Sequence, residues 1–240
     1  MKMIERSFVI FLIFLLAACS LINKEASNKN EIFSSAYNSV SQIRAEYEED
    51  IDFFVQYKKN NSPVSVFAIH GGDIEGGTSE LARTVAGDDY SYYMFEAYGK
   101  NARKFHITAS KFDDVPALEI AAASRLGLAM HVQKGNNLSI CVGGGNLEAA
   151  KMMADMLVSE GYPVEFPCVR LPGKSPKNIV NRTRLGGVQF EFTSPMIRKI
   201  IKNKKTLRGF SKKIRQTAEN YLNSMPEHTL QHTNELGRFP

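Results

Sequence analysis

The chain has 240 residues, 43% of them hydrophobic, with three cysteines, no tryptophan and a formal net charge of +5. That length builds one domain with a sizeable core. No cysteine has a CxxC partner, which argues against a thiolate metal site, and no DNA- or RNA-binding motif accompanies the positive charge, which argues against nucleic acid.

The first eighteen residues read as a secretory signal: Lys2 and Arg6, an apolar run from Phe8 to Leu16, then Ala17 and Ala18. The run is short for a membrane span. Leu16-Ala17-Ala18-Cys19 resembles a bacterial lipobox, which implies cleavage before Cys19 and lipid on its thiol and new amino terminus; an ordinary signal with an incidental Cys19 is the alternative. Lipidation would place the protein outside the cytoplasm, anchored to a membrane. Where the cell has an outer membrane, it would sit there, because Ser20 is not the acid that retains lipoproteins at the inner one. Residues 19–45 are rich in Ser, Asn, Lys and Glu and read as a polar tether running into a first helix. Residues 46–240 then form a single α/β domain with a basic helical C-terminal region.

"PVSVFAIH", ending at Gly71-Gly72, is predicted as a buried strand, and "TSELARTVA" as a helix with Thr78 or Ser79 as N-cap and Gly87 as stop. "SYYMFEAYG" and "KFHITA" are predicted as strands. "DVPALEIAAASRLG" is a helix with Pro116 in its first turn. "LAMHVQ" and "LSICVGG" are strands, and "NLEAAKMMADMLVSEG" a helix capped by Asn146 and closed by Gly161. "YPVEFP" and "GVQFEFT" are late strands, and the remainder is helical. Residues 196–216 hold nine Lys or Arg and no acid, which fits a solvated amphipathic helix pair or a surface for polyanions. In an oxidising compartment Cys141 and Cys168 could form one disulfide; the apolar run around Cys141 favours a buried free thiol instead, and the pairing stays open. The alternation of elements predicts an α/β fold: a three-layer, open, mixed sheet with helices on both faces.

In such sheets ligands bind at the carboxyl ends of the strands. His70, His131 and Glu191 end three predicted strands, and Glu75 follows His70 across a glycine pair whose freedom lets the two side chains converge. Two His and one Glu with an open position form a catalytic zinc set. Strand-end polar residues bonded to backbone are the plainer alternative.

At these residues the chain resembles the poly-gamma-glutamate hydrolase family known from bacteriophages. The resemblance rests on "IHGGDIEGGTSELA", "FHITASKFDD", "GLAMHVQKGNNLSICVGGGN" and "NIVNRTRLGGVQFEFTSPMIR", in that order. It implies the core fold of zinc carboxypeptidases, zinc held by His70, Glu75 and His131, and Glu191 as the acid that activates water. It also implies Asn181 and Arg182 as residues that bind substrate carboxylate or polarise the amide; His106 in "FHITASKFDD" reads as lining the pocket or supporting a ligand, with a structural role as the alternative. The implied reaction is hydrolysis of γ-glutamyl bonds in an acidic polymer; a zinc peptidase of γ-D-glutamyl bonds in cell-wall peptide and a non-catalytic, lipid-anchored binder are the rivals. Asp73, Val132 and the lipobox depart from the family pattern.

Overall fold

Residues 36–225 are described in a computed structural model. In chain order the elements are α1 (Val40–Glu46), β1 (Phe54–Lys58), β2 (Val64–Gly72), α2 (Thr78–Ala86), β3 (Ser91–Ala97), α3 (Val115–Ala123), β4 (Leu126–Gln133), β5 (Ile140–Gly144), α4 (Leu147–Ser159), β6 (Val164–Glu165), β7 (Gly187–Thr193), α5 (Ser194–Ile201) and α6 (Lys204–Ser224). Short 3-10 turns cover Ala102–Phe105, Ala109–Lys111 and Ile179–Arg182.

The strands form one sheet in the order β1-β3-β2-β4-β7-β5-β6. Strands β3, β2, β4 and β7 run parallel. Strand β1 is antiparallel to β3, and β5 to β7. Alternation sorts the side chains into two cores. Val64, Val66, Leu128, Met130, Phe190 and Phe192 pack on one face with α2, α4, α5 and α6. Phe67, Tyr93, Phe95 and Ala129 pack on the other with α1 and α3. The predicted three-layer α/β fold is therefore observed. The basic window 196–216 folds as α5 and the first part of α6. Its apolar residues join the first core, and its Lys and Arg side chains are exposed apart from the partly buried Arg215.

Three local expectations give way. "KFHITA" is no strand: the His106 amide turns back to the Arg103 carbonyl at 3.2 Å. Strand β3 has no free edge to offer it, because β2 takes one side and β1, which the sequence did not announce, takes the other. The N-cap of α2 is Gly77 at φ 95° rather than Thr78 or Ser79; Thr78 has moved into the first turn, where its hydroxyl donates to the Glu75 carbonyl at 2.8 Å. Cys141 is not a free thiol but is disulfide-bonded to Cys168, with Cα atoms 5.1 Å apart. The apolar run conceals this because the segment after β6 folds back alongside β5, the Cys168 amide donating to the Val142 carbonyl at 2.9 Å. The first helix into which the tether runs is α1, and it is docked: Val40 and Ile43 are buried, and the Val40 amide donates to Asp113 at 2.7 Å. The signal segment and Cys19 lie outside the described residues.

Candidate metal centre

The site begins with an irregularity in β2. Ala68 pairs with Met94 and Gly71 with Glu96, so Ile69 and His70 together face the single residue Phe95. This bulge re-aims His70: instead of continuing the Val64-Val66-Ala68 row into the first core, its ring turns toward the opposite face. The glycines that follow are required by space. A Cβ on Gly71 would lie 2.0 Å from the Ser79 hydroxyl, and one on Gly72, at φ +63°, 2.3 Å from the Ala97 carbonyl. The chain then doubles back, and the Glu75 amide donates to the His70 carbonyl at 2.8 Å. Five residues of separation thus become side-by-side placement. Asp73 serves this turn, accepting from the Gly99 amide at 2.8 Å.

His70 Nδ1 lies 2.9 Å from Glu75 Oε1 and 3.1 Å from His131 Nδ1. His131 Nδ1 lies 3.2 Å from Glu75 Oε2. His70 Nε2 donates to the Ile107 carbonyl at 2.7 Å, which turns the Nδ1 lone pair of the neutral ring inward. The Val132 amide donates to Glu75 Oε2 at 2.8 Å and fixes the carboxylate. His131 Nε2 is buried without a hydrogen-bond partner among the described residues. His106 stacks on His70 with centroids 3.9 Å apart and planes 26° apart, and its Nε2 is 3.5 Å from Glu75 Oε1. His70, Glu75 and His106 are also close enough to share an ion. Imidazole lone pairs lie in the ring plane, however, so near-parallel rings do not aim at one point; the 65° between His70 and His131 does allow convergence. We therefore place His106 at the rim.

Charge follows burial. Burial pulls His70 down to about 4, with Glu75 opposing. Burial also lowers His131, but the Glu75 carboxylate outweighs it and the net direction is up. Glu75 is pushed up by burial, yet the surrounding histidines reverse this and hold its carboxyl well below the usual range.

Glu191 is the register partner of His131 and is 5% exposed. Burial pushes its carboxyl up to about 8, with the His131 charge pulling the other way. Gln189 Nε2 donates to Glu191 Oε1 at 2.9 Å, and Asn178 Nδ2 donates to Gln189 Oε1 at 2.8 Å. Gln133 Nε2 donates to the Glu191 carbonyl at 3.0 Å. The sequence reading missed Asn178 and Gln133. The i, i+2 alternation behind His131 was the available signal for Gln133; Asn178 heads the "NIVNR" segment but carries no periodic mark.

The structure thus brings His70, Glu75, His131, Glu191 and His106 together. It does not bring in Asn181 or Arg182 by any hydrogen bond or ion pair to that group. Asn181 is committed to the scaffold: Oδ1 accepts from Gly145 N at 2.8 Å and Gly187 N at 3.3 Å, and Nδ2 donates to the Gly173 and Ser175 carbonyls at 2.6 and 2.8 Å. Arg182 is exposed, with Nε donating to the Lys177 carbonyl at 3.1 Å.

A family model described as poly-gamma-glutamate hydrolase matches residues 37–224. The UPF0714 protein YndL of Bacillus subtilis (strain 168) is 35% identical over 151 residues, covering 61% of this chain and 60% of YndL. YmaC of the same organism is 32% identical over 177 residues, covering 72% of this chain and 73% of YmaC. The chain thus spans less than two thirds of YndL. Among solved structures, a bacteriophage poly-gamma-glutamate hydrolase shares the fold at TM-score 0.74 and 24% identity, covering 80% of this chain and 100% of that one. YndL in a form described as apo and zinc-free matches at TM-score 0.72 and 27% identity, covering 78% of this chain and 99% of that one.

Proposed function

Because the chain belongs to the poly-gamma-glutamate hydrolase family, we propose that it hydrolyses γ-glutamyl amide bonds of an acidic polymer, with zinc held by His70, Glu75 and His131 and with Glu191 as the base. The observation that carries the reading is the donor triangle. One carboxylate and two imidazoles from separate elements meet with edges of 2.9, 3.1 and 3.2 Å, the two edges to Glu75 ending on its two different oxygens. Ligands at the usual zinc distances stand roughly 3.4 Å apart in a tetrahedron, so the residues fit the ion. Relatives with the same fold include YndL, whose apo form is described as zinc-free.

A bound zinc ion would supply Lewis-acid activation of water and of the scissile carbonyl. The rest belongs to this chain. Glu191 Oε1 is held by Gln189, leaving Oε2 to take the proton from an attacking water. Burial raises the Glu191 carboxyl and so favours taking up that proton, while a nearby cation favours releasing it to the departing amine. Val132 N and Ile107 O keep Glu75 and His70 in place during the exchange. Arg182, exposed beyond the cluster, is proposed to bind a substrate carboxylate; the commitments of Asn181 favour a role in shaping the loop that carries it.

The net positive charge would draw in a polymer bearing one carboxylate per unit. Anchoring through Cys19 is proposed from the signal segment, and the Cys141–Cys168 disulfide supports an oxidising compartment. The test is incubation of zinc-loaded protein with poly-γ-glutamate and with wall peptides, products being read by mass. Shortened glutamate polymer that disappears on chelation is expected; intact polymer beside cleaved wall peptide overturns the substrate assignment.

A further inference from the structure

We propose that Arg170 is a second carboxylate clamp, binding the α-carboxylate of a γ-linked glutamyl unit next to the bond being cut. The proposal rests on the substrate reading above.

Arg170 sits in an exposed loop between Val169, 79% exposed, and Leu171, 38% exposed. The loop is nevertheless fixed on both sides of it. Cys168 is bonded to Cys141, the Cys168 amide donates to the Val142 carbonyl, and the Gly144 amide donates to the Pro172 carbonyl, both at 2.9 Å. Cys141 is itself the register partner of Glu191, so the covalent tether starts one strand from the base. From this loop Arg170 Nη2 donates to Gln133 Oε1 at 2.6 Å and to the Lys134 carbonyl at 2.8 Å. Gln133 in turn donates to the Glu191 carbonyl. Arg170, Gln133 and Glu191 are thereby linked by two hydrogen bonds at the carboxyl ends of β4 and β7.

The charge of Arg170 reaches the Glu191 carboxyl, where it opposes the upward push of burial. Among the described residues no acid forms an ion pair with it, whereas the similarly anchored Arg44 pairs with Asp114 and Arg215 with Asp89. Both of its bonds use one nitrogen of a planar fork that has five N–H donors. A guanidinium positioned by one nitrogen, lacking an acidic partner and linked through Gln133 to the backbone of the base, keeps its Nε–H and Nη1 N–H donors for a carboxylate that the substrate brings.

The experiment compares zinc-loaded wild type, Arg170→Gln and Arg170→Lys on a γ-linked glutamate oligomer and on the same oligomer with its α-carboxylates amidated. Arg170→Gln is expected to raise KM on the acidic oligomer about tenfold to a hundredfold, the range for losing a charged hydrogen bond. Its preference for acidic over amidated substrate should fall at least tenfold, zinc content and melting temperature should match wild type, and Arg170→Lys should recover part of the loss. Equal losses on both substrates, or a loss that tracks zinc content or melting temperature, would make Arg170 a scaffold residue and overturn the clamp. Unchanged kinetics in Arg170→Gln would overturn it too. Failure of wild type on both oligomers would instead overturn the substrate reading, and the clamp with it.

Discussion

Replacing Glu191 by Gln separates the cost of a buried charge from its chemical use. The side chains are nearly isosteric, and the acceptor that Gln189 engages at 2.9 Å survives as an amide oxygen. In the metal-free protein burial raises the Glu191 carboxyl from 4.5 to about 8. Because its folded value lies above its unfolded one, the folded state binds the extra proton between those limits. The associated stability is fully present below about pH 4.5 and is lost as pH rises through about 8. At about 1.4 kcal/mol per pH unit, the full loss is roughly 5 kcal/mol. Urea unfolding of chelated wild type and Glu191→Gln from pH 5 to 9 should therefore give curves that diverge, with the variant the more stable at the alkaline end. Zinc should narrow the gap, because a nearby cation favours the carboxylate. Turnover of the zinc-loaded variant should fall about a hundredfold to ten-thousandfold, the usual effect of losing a general base. Parallel stability curves would refute the burial argument, near wild-type turnover would refute the base assignment, and loss of zinc with activity would make Glu191 a ligand.

His70→Ala and His131→Ala should each drop bound zinc below one equivalent by elemental analysis, and full retention in both would remove the ligand assignment. Converting Cys141 and Cys168 together to Ser opens a 27-residue closure and should lower unfolding stability by about 3 to 4 kcal/mol; an unchanged urea midpoint would show that the folded-back segment holds itself. Cys19→Ser should leave the precursor unprocessed or move the protein to the soluble fraction, and unchanged detergent partitioning with unchanged mature mass would dismiss the anchor.

The centre was legible where its chemistry is local. His70, two glycines and Glu75 fall within six residues, and the glycines announce a turn that no larger residue can make. Alternation along β7 put Glu191 opposite Phe190 and Phe192, and those two rings lie in the first core. Strand ends carrying His131 and Glu191 suggested proximity, and the parallel register makes them neighbours. Illegible features depend on partners distant in sequence. Asn181 looks like a free polar residue until Gly145 and Gly173 are seen to use its amide. Arg170 lies in a loop with no periodicity, and only the fold brings it to Gln133. "KFHITA" has the composition of a strand, but strand formation also needs an open edge, which no reading of the segment alone reveals.

The two ends of the sheet bear on how the protein behaves at high concentration. Strand β6 is two residues long, too short to template another chain. Strand β1 is five residues long and leaves Gln56, Tyr57 and Lys58 exposed, with Lys59 next and ion-paired to Glu119. Short, lysine-bearing borders discourage edge-to-edge strand addition between molecules. Crowded copies would thus meet through charged, irregular rims, and self-association into extended sheets has little to start from.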